Sequence, residues 1–182
     1  METNPKIKFD VPQREHMSED NLPIYDGILK SVGFMPNLFA TLGLSENGLH
    51  RYISFQNGKS SLNNKEKEAI NLIVSEANEC NYCRAAHTTI GKMHGFTEEQ
   101  TLEIRRGQVY FDKKLNALVK LSQNIVHTRG KINNQYLELF FNAGYEKGHL
   151  VDVILQIGEK TITNYLHNIT QVPIDFVEAS AI

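Results

Sequence analysis

The stretch Asn78-Glu79-Cys80-Asn81-Tyr82-Cys83-Arg84-Ala85-Ala86-His87 holds both cysteines of the chain, three positions apart, and a histidine four positions beyond the second. On a helix that starts at Cys80, these spacings bring all three side chains to one face, where they touch. A thiol in the first turn of a helix feels the positive end of the macrodipole, and in C-x-x-C settings thiol pKa values fall from about 8.5 to roughly 3.5–7.5. Thiolate at neutral pH is therefore expected. His87, one turn past Cys83, is placed to take the thiol proton or stabilise the thiolate, and Arg84 bears the same relation to Cys80. The helix end favours Cys80 as the nucleophile and the histidine favours Cys83, so spacing leaves the attacking sulfur open. A bridge between the two would close a loop of only four residues, worth roughly 2 kcal/mol by chain entropy against about 4.7 for a loop of 100. Reactivity explains such a pair better than stapling does.

Blander readings compete. Free cysteines are often small buried core residues. A structural zinc site wants four ligands, and with no second C-x-x-C, Glu68 or His94 would have to complete it. Attachment of a c-type haem needs a histidine directly after the second cysteine, where Arg84 stands. Glu68, taken alone within Lys65-Glu66-Lys67-Glu68, reads as one more solvated helix charge. His16, His50, His94, His127, His149 and His167 lack a spacing partner, and surface or capping roles are expected for them.

The elements that position these groups follow from apolar residues recurring at helical period almost throughout. Leu22, Tyr25, Ile28, Leu29 and Val32 define a first helix, stopped by Gly33. A short helix is expected over 38–44, and Ser45 is a cap candidate for another carrying Leu49, Tyr52, Ile53 and Gln56. Asn63 or Asn64 caps a fourth, with Ala69, Ile70, Ile73, Val74 and Ala77 as its apolar stripe. Asn78 is an N-cap candidate that restarts the chain as the cysteine helix, which Gly95 ends. On one continuous helix, Glu68 and Cys80 would lie about 18 Å apart, so the break is required if the two are to meet. Thr97 with Gln100 forms a capping-box pattern for a helix stopping near Gly107. Asp112 caps the next, which carries Leu115, Leu118, Val119, Ser122, Ile125 and Val126 and ends at Gly130. Asn133 or Asn134 opens one closed by Gly144, and the last runs from about 146 to 169 before Pro173. The fold class expected is all-α, a helical bundle of eight or nine helices with strand content near zero. Residues 1–19 are expected as an extended segment and 20–182 as a single helical domain. Phe34, Phe39, Tyr52, Phe55, Tyr110, Phe111, Tyr136, Phe140 and Phe141 are expected mostly in the core, some at an oligomer seam.

Composition bounds the function. The chain has 182 residues, 41% hydrophobic and 22% charged, close to globular averages, so a packed core is expected. Nineteen basic and 21 acidic side chains give a net charge of −2, which argues against nucleic acid or an anionic membrane as partner. The uncharged run over 31–45 falls short of the roughly 20 apolar residues of a membrane span. The mixed-charge start does not read as a secretory signal, and a cytoplasmic location is expected.

The sequence resembles the alkylhydroperoxidase D / carboxymuconolactone decarboxylase superfamily. Its redox branch is marked by a glutamate, eleven intervening residues, Cys-x-x-Cys and, after three more intervening residues, a histidine. Glu68, Cys80, Cys83 and His87 meet that pattern, inside a stretch over 62–91 that reads like the family's core motif. The flanks are similar to its peroxidase-related subgroup: Gly33-Phe34-Met35-Pro36-Asn37, Asn164-Tyr165 and Val172-Pro173-Ile174-Asp175-Phe176. The resemblance covers most of residues 20–178. It implies an all-helical fold assembled as a homo-oligomer (dimer, trimer or hexamer) and an antioxidant peroxidase of peroxiredoxin type. That enzyme would reduce organic hydroperoxides through a sulfenic acid and an intramolecular disulfide. It further implies that Cys83 attacks the peroxide, Cys80 resolves the sulfenic acid, and Glu68 and His87 pass protons. No metal, haem or other cofactor is implied, and a thiol or lipoyl-type carrier donates electrons. One position departs: the best-studied antioxidant members carry a second histidine between the cysteines, and Tyr82 stands there. A phenol with pKa near 10 does not relay protons at pH 7 as imidazole does. A general thiol-disulfide oxidoreductase is therefore an alternative. Others are a lyase like the decarboxylase branch, which generally lacks the cysteine pair, and a non-enzymatic helical oligomer with structural cysteines.

Overall fold

Capping side chains, glycines and prolines cut the helical periodicity into nine α-helices among residues 7–182, the part of the chain described by a computed structural model. They are α1 (Leu22–Val32), α2 (Asn37–Leu42), α3 (Gly48–Gln56), α4 (Asn64–Ala77), α5 (Asn81–Met93), α6 (Glu98–Arg105), α7 (Lys113–Thr128), α8 (Asn134–Asn142) and α9 (Lys147–Thr170). No strand occurs among the described residues. The first six residues of the expected extended segment lie outside the described residues; its remainder contains a 3-10 turn at Arg14–His16.

The caps give the physical reason for these boundaries. The Asn63 side chain accepts the Glu66 N–H at 3.0 Å while the Glu66 carboxylate accepts the Asn63 N–H at 2.9 Å, a reciprocal box that opens α4. Thr97 and Gln100 do the same for α6, and Asp112 accepts from Lys114 and Leu115 at the start of α7. Each such cap is worth about 1 kcal/mol. Ser45 does not act as the expected cap. α3 opens after Asn47 without a side-chain cap, and Ser45 sits in the preceding turn, its carbonyl accepting from Asn21 Nδ2 at 2.7 Å.

The chain packs as two compact units. Among the described residues, one comprises residues 7–58 with Leu166–Asp175, the other Lys59–Tyr165 with Phe176–Ile182. In the first, α3 packs on α1 and α2 around Tyr25, Ala40 and Leu49. Two of the flanking motifs meet there: Asn37 donates its backbone N–H to Asp175 Oδ2 at 2.6 Å and its side-chain amide to the Pro173 carbonyl at 3.1 Å. In the second, α4 is central, packing on α5, α6 and α7, with α8 on α7. Its core joins Ile70, Ile73 and Val74 to Ile104, Leu118, Val119, Phe140 and Val153, all essentially solvent-free. The expected aromatic core is only partly realised. Tyr52 and Phe140 are buried, whereas Phe34, Phe55, Tyr110 and Phe111 are exposed.

The junction of α4 and α5 differs from expectation in its mechanism. Asn78 is not the N-cap of the cysteine helix but the last cap of α4, and its side chain donates to Asn164 Oδ1 at 2.9 Å. The reversal is a Schellman motif: Cys80 N–H bonds the Ser75 carbonyl and Glu79 N–H the Glu76 carbonyl, both at 3.0 Å. Glu79 holds the left-handed position at φ 54° that glycine usually takes, so Cys80, not Asn78, is left as N-cap of α5. A left-handed residue with a Cβ costs roughly 1–2 kcal/mol, most for a β-branched one. Glu79→Val should accordingly lower the unfolding free energy by about 1–2 kcal/mol, with Glu79→Gly neutral or stabilising, as read by urea denaturation.

Candidate active site

α4 contributes a polar stripe on an otherwise apolar face: Glu68, Asn71 and Ser75, three and four residues apart and all buried. After the reversal, α5 returns Cys80, Cys83 and His87 alongside it. The Cys80 sulfur accepts the Cys83 N–H at 3.3 Å, doing the work of an N-cap side chain. The two sulfurs are 2.6 Å apart, with the Cys80 thiol donating to Cys83. Both are free thiols, 0% and 2% exposed. His87 Nδ1 meets Glu68 Oε2 at 2.8 Å, and Asn71 Nδ2 donates to Glu68 Oε1 at 3.0 Å, so both carboxylate oxygens are engaged. With Nδ1 tied to Glu68, Nε2 is the nitrogen left for proton exchange.

α9 closes the site with a second polar stripe. Gln156 donates to Asn71 Oδ1 at 2.9 Å, and Asn164 donates to Ser75 Oγ at 3.2 Å while accepting from Asn78. Lys160, four residues from each, is 2% exposed.

These neighbours set the electrostatics. The hydrogen bond from Cys80 lowers the Cys83 pKa most; burial opposes it, and the Lys160 and His87 charges and Asn164 assist, bringing it to about 6. The same contact and burial raise Cys80, which keeps its proton while Cys83 is ionised. For Glu68, burial alone would raise the pKa, but His87, Lys160 and Asn71 together outweigh it and hold the carboxyl below its ordinary value. The N-cap position of Cys80, whose sulfur accepts the Cys83 N–H, works in the opposite sense, but the hydrogen bond from the Cys80 thiol to Cys83 outweighs it.

Glu68, Cys80, Cys83 and His87 thus come together. Arg84 does not join them: its guanidinium pairs with Glu76 Oε1 at 2.9 Å and bonds Asn81 Oδ1 at 2.9 Å, and Glu76 also takes Arg105 at 2.7 Å. His16 and His149 accept backbone N–H groups at the starts of helical turns, as capping residues. His167, near the end of the last helix, takes the packing role that is the default there, buried with Nε2 3.1 Å from the Val172 carbonyl. Tyr82 is buried edge-on against Phe176, ring centroids 5.6 Å apart. Among the described residues, no group of three or more His, Cys, Asp or Glu is arranged to hold a metal ion. Sequence reasoning missed Asn71, Gln156, Lys160 and Asn164. The signal was present as polar residues at i, i+4 and i+8 in the last helix, in register with Glu68, Asn71 and Ser75 in the fourth.

Residues 48–123 match the carboxymuconolactone decarboxylase family. No curated protein matches the sequence. Among solved structures, the chain is similar to an uncharacterised peroxidase-related protein from Ralstonia eutropha, described as an alkylhydroperoxidase AhpD core, with TM-score 0.82, 19% identity and 95% of each chain covered. It is also similar to an uncharacterised peroxidase-related protein from Silicibacter, with TM-score 0.77, 16% identity and 98% of this chain and 94% of that one covered. A third similar structure is a cysteine-to-alanine variant of the debrominase Bmp8 in complex with 2,3,4-tribromopyrrole, with TM-score 0.76, 15% identity and 93% and 94% covered. At these identities the likeness speaks for the fold. The family match spans α4 and α5, which carry Glu68, both cysteines and His87, and over most of its length the chain shares the helical fold of these three structures.

Proposed function

We propose that this protein is a dithiol oxidoreductase that reduces organic hydroperoxides in the reducing environment of the cytoplasm. The observation that carries the reading is a low-pKa Cys83 thiol in contact with the Cys80 thiol, one helical turn from a His87–Glu68 pair. In the first step the Cys83 thiolate attacks the peroxide O–O bond, giving a Cys83 sulfenic acid, and the leaving alkoxide takes a proton to become an alcohol. The Cys80 thiol then attacks the sulfenic sulfur, forming the disulfide and releasing water. Protons pass through His87, whose imidazolium the Glu68 carboxylate stabilises. An external thiol or lipoyl-type carrier supplies two electrons to restore the dithiol.

Burial of both sulfurs restricts the reaction to small oxidants or to moments of local opening. No helix among the described residues is long and apolar enough to cross a membrane. Exposed Val151, Ile154, Leu155, Ile162 and Tyr165 along α9 favour assembly of several copies. The presence of Tyr82 rather than an imidazole between the cysteines favours, as a second reading, a thiol-disulfide oxidoreductase with slow peroxide turnover.

One equivalent of cumene or tert-butyl hydroperoxide should remove two free thiols, both restored by dithiothreitol, as counted by mass spectrometry. Cys83→Ser should abolish turnover and Cys80→Ser should leave a trapped sulfenic acid; full activity in Cys83→Ser would refute the assignment of the nucleophile. A panel including a small disulfide and a brominated pyrrole separates peroxide reduction from the second reading and from the chemistry named for the debrominase.

The rate of alkylation at Cys83 should fall as pH drops through about 6, where its thiolate is protonated. Glu68→Gln removes the negative partner of His87 and should lower the peroxide rate constant by about 10²–10⁴-fold, the usual worth of a positioned acid–base group. Stopped-flow kinetics would measure it, and a loss under twofold would remove Glu68 from the proton path.

A further inference from the structure

Lys160 is a lysine with almost no solvent contact, in a chain whose other cations lie mostly at the surface. Burial of an ammonium is expensive unless anions and hydrogen-bond acceptors surround it. Its neighbours on α9 are the buried Glu159, whose Oε1 is 3.6 Å from Lys160 Nζ, and Thr163, whose Oγ1 is at 3.5 Å. Residues 159 and 160 are successive positions on a helix and diverge by about 100° around its axis, so groups other than Glu159 lie along the face that Lys160 takes. Its placement says which. Gln156, one turn before, is bonded to Asn71, the residue that also donates to Glu68. Asn164, one turn after, is bonded to Ser75 and Asn78 beside the cysteine turn. Lys160 lies on α9 midway between these two anchored residues, and its charge acts on Glu68, Cys80 and Cys83. The titratable groups its charge acts on include Glu68 from α4 and Cys80 and Cys83 from α5, with Glu159 beside it on α9 and His87 paired to Glu68.

Resting on Cys83 as the reactive thiol, we propose that Lys160 is a positioning residue whose buried ammonium is the fixed counter-charge of the centre, holding the Cys83 thiolate and the Glu68 carboxylate ionised side by side. Without it, two anions would share a water-poor space with one imidazole, and the thiol would keep its proton. Glu159 then tunes the effect by drawing part of the ammonium's field away from the sulfurs.

The test is a titration of thiolate absorbance and of alkylation rate at Cys83, which needs no assumption about substrate. Lys160→Met should raise the midpoint by about one pH unit or more, the shift expected for loss of a nearby opposite charge. Alkylation near pH 6 should fall about fivefold or more and recover at higher pH. Lys160→Arg should hold the midpoint near that of the unchanged protein. Glu159→Gln should move it down, the opposite direction from Lys160→Met, which general loosening of the fold does not produce. An unchanged midpoint in folded Lys160→Met, or in Glu159→Gln should the former not fold, overturns the proposal; so does a shift of both in the same direction. A Lys160-dependent midpoint in a protein that reduces no peroxide would sustain this inference and sink the proposed function instead.

Discussion

The constraint on which the site depends is the reversal of the chain over residues 78–80. Glu68 and Cys80 would lie about 18 Å apart on one continuous helix; the left-handed backbone at Glu79 folds α5 back so that Glu68 meets His87 at 2.8 Å. The same turn frees Cys80 to cap α5, and the cap brings its sulfur to the Cys83 N–H. Geometry of the dithiol and geometry of the carboxylate–imidazole pair are thus set by one three-residue motif, whose backbone bonds run to Ser75 and Glu76. A change there would displace all four groups together.

Burial gives the arrangement its chemistry and its cost. From Glu66 to Ser75, α4 is buried at every position but one, so its apolar side supports α6 and α7 while its polar side meets α5 and α9. Charges removed from water must be paired, and here Glu68 has His87 and Asn71, while Lys160 has Glu159. The low dielectric that makes an unpaired charge expensive also makes each paired one act strongly on its neighbours. That is why Cys83 loses its proton readily although burial alone would make the thiol hold it.

The sequence made the helices legible because their ends are written in local chemistry. Asn63 with Glu66, Thr97 with Gln100, Asp112 and the glycines after α1 and α8 each act through atoms within four residues. The misreadings share a cause as well. Asn78 is a good cap by type, but its side chain is used by Asn164, 86 positions away, and Ser45 lies in the turn whose carbonyl bonds Asn21, two residues ahead of Asn47, where α3 opens. Arg84 has the right spacing to serve Cys80 and is taken by Glu76 instead. The four residues Glu68, Cys80, Cys83 and His87 were legible through their spacing and a family pattern. Lys160 and Asn164 were not, because no local rule says which face of a long helix is turned toward a site brought to it by packing.

The two sides of the dithiol are chemically unlike. Toward α4 and α9 stand a carboxylate, an imidazole, an ammonium and three amides; toward the C-terminal segment stands Tyr82, buried edge-on against Phe176. That segment is tied down by Arg105 donating to the Ser180 carbonyl at 2.6 Å and by Ser180 donating to Glu98 at 2.8 Å. In the proposed reaction the thiolate charge is supported, and the leaving alkoxide protonated, from the polar wall alone, since a phenol with pKa near 10 holds its proton at neutral pH.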